Sequence, residues 1–304
     1  MTRTRGGFVS LMLVSLLAGA QAAEAQTPDA PRCGTGVHEA EARGTVFFPP
    51  DQIFCPLLAD PKEVRSFATF LRGTFPSIVD PSGEGTPIAS VGLGDSFGLF
   101  RQGGPDPGEG VQIDVVGSIF AQFNMGAPSN DLINADYVVG APLTFRRNGF
   151  SLRARIYHQS SHLGDEYLLS GEDIERENLS FESVEFLISQ EIGPLRAYGG
   201  VERIFRREPE FLPDRLFHGG VELRTGRART VQLVGGIDFK TTELHDWSAA
   251  MSGRVGLEIG RPGPDGHPGR LVMLLLELYD GPSPYGQFFR DDISYIGVGV
   301  HFGL

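Results

Sequence analysis

The chain has 304 residues, is 40% hydrophobic, contains 41 glycines and carries a formal net charge of −12. That acidity argues against a nucleic-acid partner and against docking on an anionic surface by charge alone. Almost all basic residues are arginine; Lys62 and Lys240 are the only lysines.

In chain order, Arg3 and Arg5 precede the apolar run from Phe8 to Ala20, and small residues follow with cleavage options near Ala23 or Ala25. This is the pattern of a secretory signal over residues 1–25, and the run is shorter than the roughly 20 residues of an anchor helix. No second long apolar stretch follows. Residues 26–62 read as an irregular periplasmic arm, with Pro49-Pro50 and Cys-Pro-Leu-Leu-Ala-Asp-Pro at 55–61. Cys33 and Cys55, the only cysteines of an exported chain, suit a disulfide bracketing that arm; two separate thiols are the alternative.

From residue 63 to the end the chain reads as strands. The segments are 64–72, 87–101, 111–125, 132–146, 149–161, 179–191, 195–206, 215–225, 230–241, 247–260, 270–280 and 293–304. Apolar and polar residues alternate along most of them: Val231, Leu233, Ile237 and Phe239 oppose Gln232, Asp238 and Lys240. In the second segment Asp95 falls in phase with Val91, Phe97 and Leu99. Twelve segments of this length predict an all-β, antiparallel transmembrane barrel of about 12 strands over 63–304. Connection lengths support it. Asn148-Gly149, Gly193-Pro194 and 226–229 are short, whereas 162–178, 207–214 and 281–292 are long, as expected for periplasmic turns and outer loops. Connections 102–110 and 261–269 break this parity. A soluble periplasmic β-sandwich is the competing reading.

The fifth segment carries the candidate chemistry. Phe150, Leu152, Ala154, Ile156, His158 and Ser160 share one face, and Ser151, Arg153, Arg155, Tyr157 and Gln159 the other. The apolar face meets lipid, which leaves His158 and Ser160 at the outer end of an upward strand. The arginines face the lumen with a carboxylate opposite, such as Asp136. A hydroxyl nucleophile needs a base, and the base an orienting group. On the return strand, Glu182 or Asn178 suits that role by phase; Glu172 lies in the loop. Two other readings use the same residues: an interfacial polar band bonded to lipid headgroups, and a divalent metal held by His158, His162, Asp165 and Glu166.

His-Gln-Ser at 158–160 resembles the His-x-Ser element of outer-membrane phospholipase A and lipid A deacylase. That resemblance implies a lipid acyl-ester hydrolase with Ser160 as nucleophile, His158 as base and Glu182 or Asn178 as orienter. The phospholipase pattern continues with Asn-Gly where this chain has Ser161-His162. Ca²⁺ near Asp165 and Glu166 would neutralise an oxyanion or phosphate. Phe47-Phe48-Pro49-Pro50, Leu57-Leu58-Ala59-Asp60-Pro61 and Tyr157-His-Gln-Ser-Ser-His-Leu-Gly-Asp-Glu166 are similar to a bacterial domain-of-unknown-function family, number 1207, of outer-membrane barrels. That resemblance implies the architecture and no reaction. The expected protein is thus a bacterial outer-membrane barrel whose partners are membrane lipids. A non-catalytic scaffold or narrow pore is the alternative.

Overall fold

The computed structural model describes residues 44–78, 85–106, 108–169, 177–212, 214–225, 231–260 and 271–303. The expected signal segment, Cys33 and Glu172 lie outside these residues. The strands are β1 (Gly44–Phe47), β2 (Ser66–Thr74), β3 (Thr86–Gly103), β4 (Gly110–Asn124), β5 (Asp131–Arg147), β6 (Phe150–Leu163), β7 (Leu179–Ile192), β8 (Leu195–Glu208), β9 (Arg215–Arg224), β10 (Val231–Thr242), β11 (Ala249–Gly260), β12 (Leu271–Pro282) and β13 (Asp292–Gly303). One short helix, α1 (Asp165–Leu168), follows β6.

Strands β2 to β13 pair antiparallel, and β3 joins β4 to close a 12-stranded barrel. Each of the twelve segments read from the alternation corresponds to one barrel strand. β1 lies outside this count, alongside the end of β3 that extends past β2. Asn148 and Gly149, both at positive φ, make the tight β5–β6 turn.

The molecule is polar inside and apolar outside. Val139, Ile156, Phe186, Ile188, Val221, Leu257, Leu274 and Val298 are exposed on the outer wall, whereas Arg101, Gln112, Asn134, Asp136, Glu185, Glu222 and Glu277 are buried within. A soluble sandwich would reverse this pattern. An outer wall this apolar is stable only against lipid. On β3 a register shift between Gly98 and Phe100 changes the inward phase from even to odd residues, which turns Arg101 into the lumen. Asp95 stays on the outer face and accepts a hydrogen bond from the Ser96 N–H.

The lumen is filled by the chain's own segment between β1 and β2. Ile53, Phe54, Leu57, Leu58, Ala59, Asp60 and Glu63 are all buried. The stretch expected to extend as an arm, 26–62, therefore runs through the barrel over its last dozen residues. The physical reason is complementarity: Leu57 packs with Leu187 and Tyr198, and Leu58 with Val234, Met273 and Leu275. The Leu58 N–H donates to Glu222 at 2.6 Å, and Arg254 donates to the carbonyls of Leu58 and Asp60.

Candidate functional site

On β6 and β7 the outward faces meet in register: His158 opposes Glu182, and Ser160 opposes Ser180. The His158 Nδ1 lies 3.2 Å from Glu182 Oε1, with the two side chains 41% and 28% exposed. Ser160 sits two residues on, on the same face, between Tyr137 of β5 and Ser180 of β7. Among the described residues no hydrogen bond links the Ser160 hydroxyl to His158. Residues i and i+2 of a strand are about 6–7 Å apart, so closure of that link requires the side chains to lean together.

Glu182 is shared. Arg206 of β8, opposite it in register, places a guanidinium nitrogen 3.6 Å from the same Oε1. Asn178 is exposed, precedes β7 and is not joined to His158. Asp165 and Glu166 form the exposed first turn of α1, and His162 faces outward with its ring 5.7 Å from Tyr137. Among the described residues no group of three or more His, Cys, Asp or Glu side chains is arranged to hold a metal ion.

Behind this face lies the charged interior. Arg153 pairs with Glu185 at 2.9 Å and with Glu63 of the plug at 2.7 Å, and Arg155 pairs with Glu185 at 2.9 Å. Asp136, expected opposite these arginines, instead receives Lys62 of the plug at 2.5 Å, the Gly286 N–H at 3.1 Å and the Ser161 hydroxyl. The register explains the difference: Asp136 is level with Ser161, whereas Arg153 and Arg155 are level with Thr144 and Pro142. Lys240 donates to both oxygens of Asp60 at 2.9 Å. The only two lysines of the chain thus both anchor the plug region, a role that their rarity hints at but their spacing does not reveal. Arg206 was equally hidden, because a β-bulge between Glu182 and Ser183 shifts the β7–β8 register. Cys55 is disulfide-bonded.

A family model matches residues 14–304. The chain belongs to DUF1207, a family described as of unknown function. No curated protein matches this DUF1207 chain. Among solved structures it is similar to outer membrane phospholipase A from Escherichia coli, at a TM-score of 0.54 and 11% identity, covering 81% of this chain and 94% of that one. The calcium-bound outer membrane phospholipase dimer of Salmonella typhi gives a TM-score of 0.53 at 11% identity, over 81% and 94% of the two chains. The β domain of the Bordetella autotransporter BrkA gives 0.42 at 13% identity, over 79% and 98%. At 11% identity the likeness to the two phospholipase structures is one of fold: this is an outer-membrane β-barrel.

Proposed function

We propose that this DUF1207 protein is a surface hydrolase of acyl esters in outer-leaflet lipids, exported by a cleaved signal over residues 1–25. The observation that carries the reading is the His158–Glu182 pair, turned toward lipid on the same face as Ser160. With Glu182 against Nδ1, the favoured tautomer keeps the proton on Nδ1 and leaves Nε2 free as a base. In the proposed step the Ser160 oxygen attacks the ester carbonyl while His158 takes its proton. The proton then passes to the departing alkoxide, and water repeats the sequence to free the fatty acid.

The test is fatty-acid release from phospholipid and from lipid A by the refolded full chain. Ser160→Ala should abolish release and His158→Ala should lower it by about 10²–10⁴-fold, both while leaving the barrel folded. Release unchanged by both Ser160→Ala and His158→Ala would discard the His158–Ser160 site, and no release by the wild type would leave a plugged, non-catalytic barrel.

A further inference from the structure

Arg203 of β8 and Arg215 of β9 are directly opposed in register, and both are exposed on the outer wall. Directly opposed Cβ atoms lie about 4.5–5.5 Å apart, and like charges so placed destabilise a sheet. Compensation from the protein is thin. Arg215 has Asp214 at 3.8 Å and Glu243 at 4.0 Å, and Arg203 makes no ion pair among the described residues. Arg206, its side chain 79% exposed, adds a third guanidinium, and the carboxylate beside it, Glu182, is shared with His158.

The register ties these groups to the candidate site. One row across the strands runs Ile156–Val184–Arg203–Arg215, and the next runs His158–Glu182–Arg206. Arg215 is the first residue of β9 and Ser160 lies near the end of β6, so both belong to the loop-end rim. An outward arginine costs about 2–4 kcal/mol at mid-bilayer and about 0–1 kcal/mol at the interface. Three at one rim therefore belong at headgroup depth, where phosphate is the anion that a planar guanidinium fork binds with two parallel hydrogen bonds.

We propose that Arg203 and Arg215, flanked by Arg206, bind the phosphate group of an outer-leaflet lipid beside Ser160. This rests on the hydrolase reading and narrows its substrate class: a phosphate-bearing acyl lipid, not a neutral glyceride. The phosphate screens the opposed guanidiniums and holds the lipid against the outer wall near His158 and Ser160.

The test uses the full-length Ser160→Ala protein in neutral detergent micelles, so that binding is read without turnover. Dioleoyl phosphatidate and dioleoylglycerol, which differ only in the phosphate, are titrated in parallel. Phosphatidate should bind at least tenfold more tightly. Arg203→Gln/Arg215→Gln should remove that preference without changing the dioleoylglycerol affinity, and Arg203→Lys/Arg215→Lys should keep part of it. Thermal melting of each variant checks folding. Equal affinity for the two lipids, or a preference that survives the double Gln variant, would overturn the proposal. Inorganic phosphate binding as tightly as phosphatidate would overturn its lipid part. Selective binding by a protein that hydrolyses no ester would remove the hydrolase reading alone.

Discussion

Glu182 on β7 is the register partner of His158 on β6, and its carboxylate oxygen lies 3.2 Å from the imidazole Nδ1 on the lipid-facing wall. The contact belongs to a polar rim with Ser160, Ser180 and Arg206, next to the apolar outward residues Ile156, Phe186 and Ile188. His158→Ala should lower ester hydrolysis by about 10²–10⁴-fold, the usual worth of a positioned general base. Glu182→Gln should give a smaller loss, since an amide still orients the ring but no longer stabilises its protonated form. Initial rates on phospholipid micelles check both; wild-type rates for Glu182→Gln would show that the charge is not what matters, and equal loss for Glu182→Gln and Glu182→Ala that orientation by the amide contributes nothing.

The plug contact Asp60–Lys240 should be insensitive to mild acid. Burial works against ionisation of Asp60, but Lys240, His218 and the Lys62 N–H hold its carboxyl well below the ordinary value of 3.8. Asp238 also faces this cluster, bonded to His218. A carboxylate with a depressed folded-state pKa contributes stability above its unfolded pKa and loses it as pH falls through the folded one. Asp60→Asn strands the Lys240 charge, and breaking a buried pair in this way costs about 3–5 kcal/mol. The melting-temperature gap between wild type and Asp60→Asn should stay constant from pH 7 to pH 5 and narrow only below about pH 4. A gap that closes by pH 5 would contradict the assigned ionisation.

The inside-out polarity predicts how the outer wall responds to charge. Leu274, on β12, is 45% exposed and surrounded in register by Leu257 and Val300. On a water-facing surface Leu274→Arg would change stability by less than about 0.5 kcal/mol. On a lipid-facing wall it should cost about 2–4 kcal/mol near the bilayer centre. Reversible denaturant unfolding from phospholipid vesicles decides between the two.

Much of the fold was legible because a barrel strand obeys a single local rule. Alternation with period two, as in Val231 to Lys240, marks a strand and both its faces without reference to its neighbours. That rule placed His158, Ser160 and Glu182 on one wall. It was silent on the plug, because Ile53, Phe54, Leu57 and Leu58 follow no period and are held largely by partners far along the chain, such as Arg146, 93 positions from Ile53, and Arg254, 196 positions from Leu58. It failed for Arg101 and Arg206 for a related reason, since each follows a β-bulge that breaks the local phase. Pairing Asp136 with Lys62 in place of Arg153 is likewise a register fact, and register is set by contacts between strands.

Occupancy of the lumen bears on the pore alternative. A 12-stranded barrel has little free interior once side chains enter it, and here Phe54 also lies between Arg153 and Arg196, with guanidinium carbons 4.8 and 4.9 Å from its ring centroid. The plug is held at charged points, Lys62 to Asp136, Glu63 to Arg153 and Asp60 to Lys240. The wild-type protein should therefore show no steady conductance in a planar bilayer. Glu63→Lys sets a like charge against Arg153, and Asp60→Lys does the same against Lys240, so the double variant converts two attractions into repulsions inside a low-dielectric lumen. Intermittent or steady conductance should appear in that variant, with an open fraction that rises as salt is lowered, since less screening strengthens the repulsion. Steady conductance in the wild type would mean that the segment 49–65 does not seal the barrel, and would restore the narrow-pore reading.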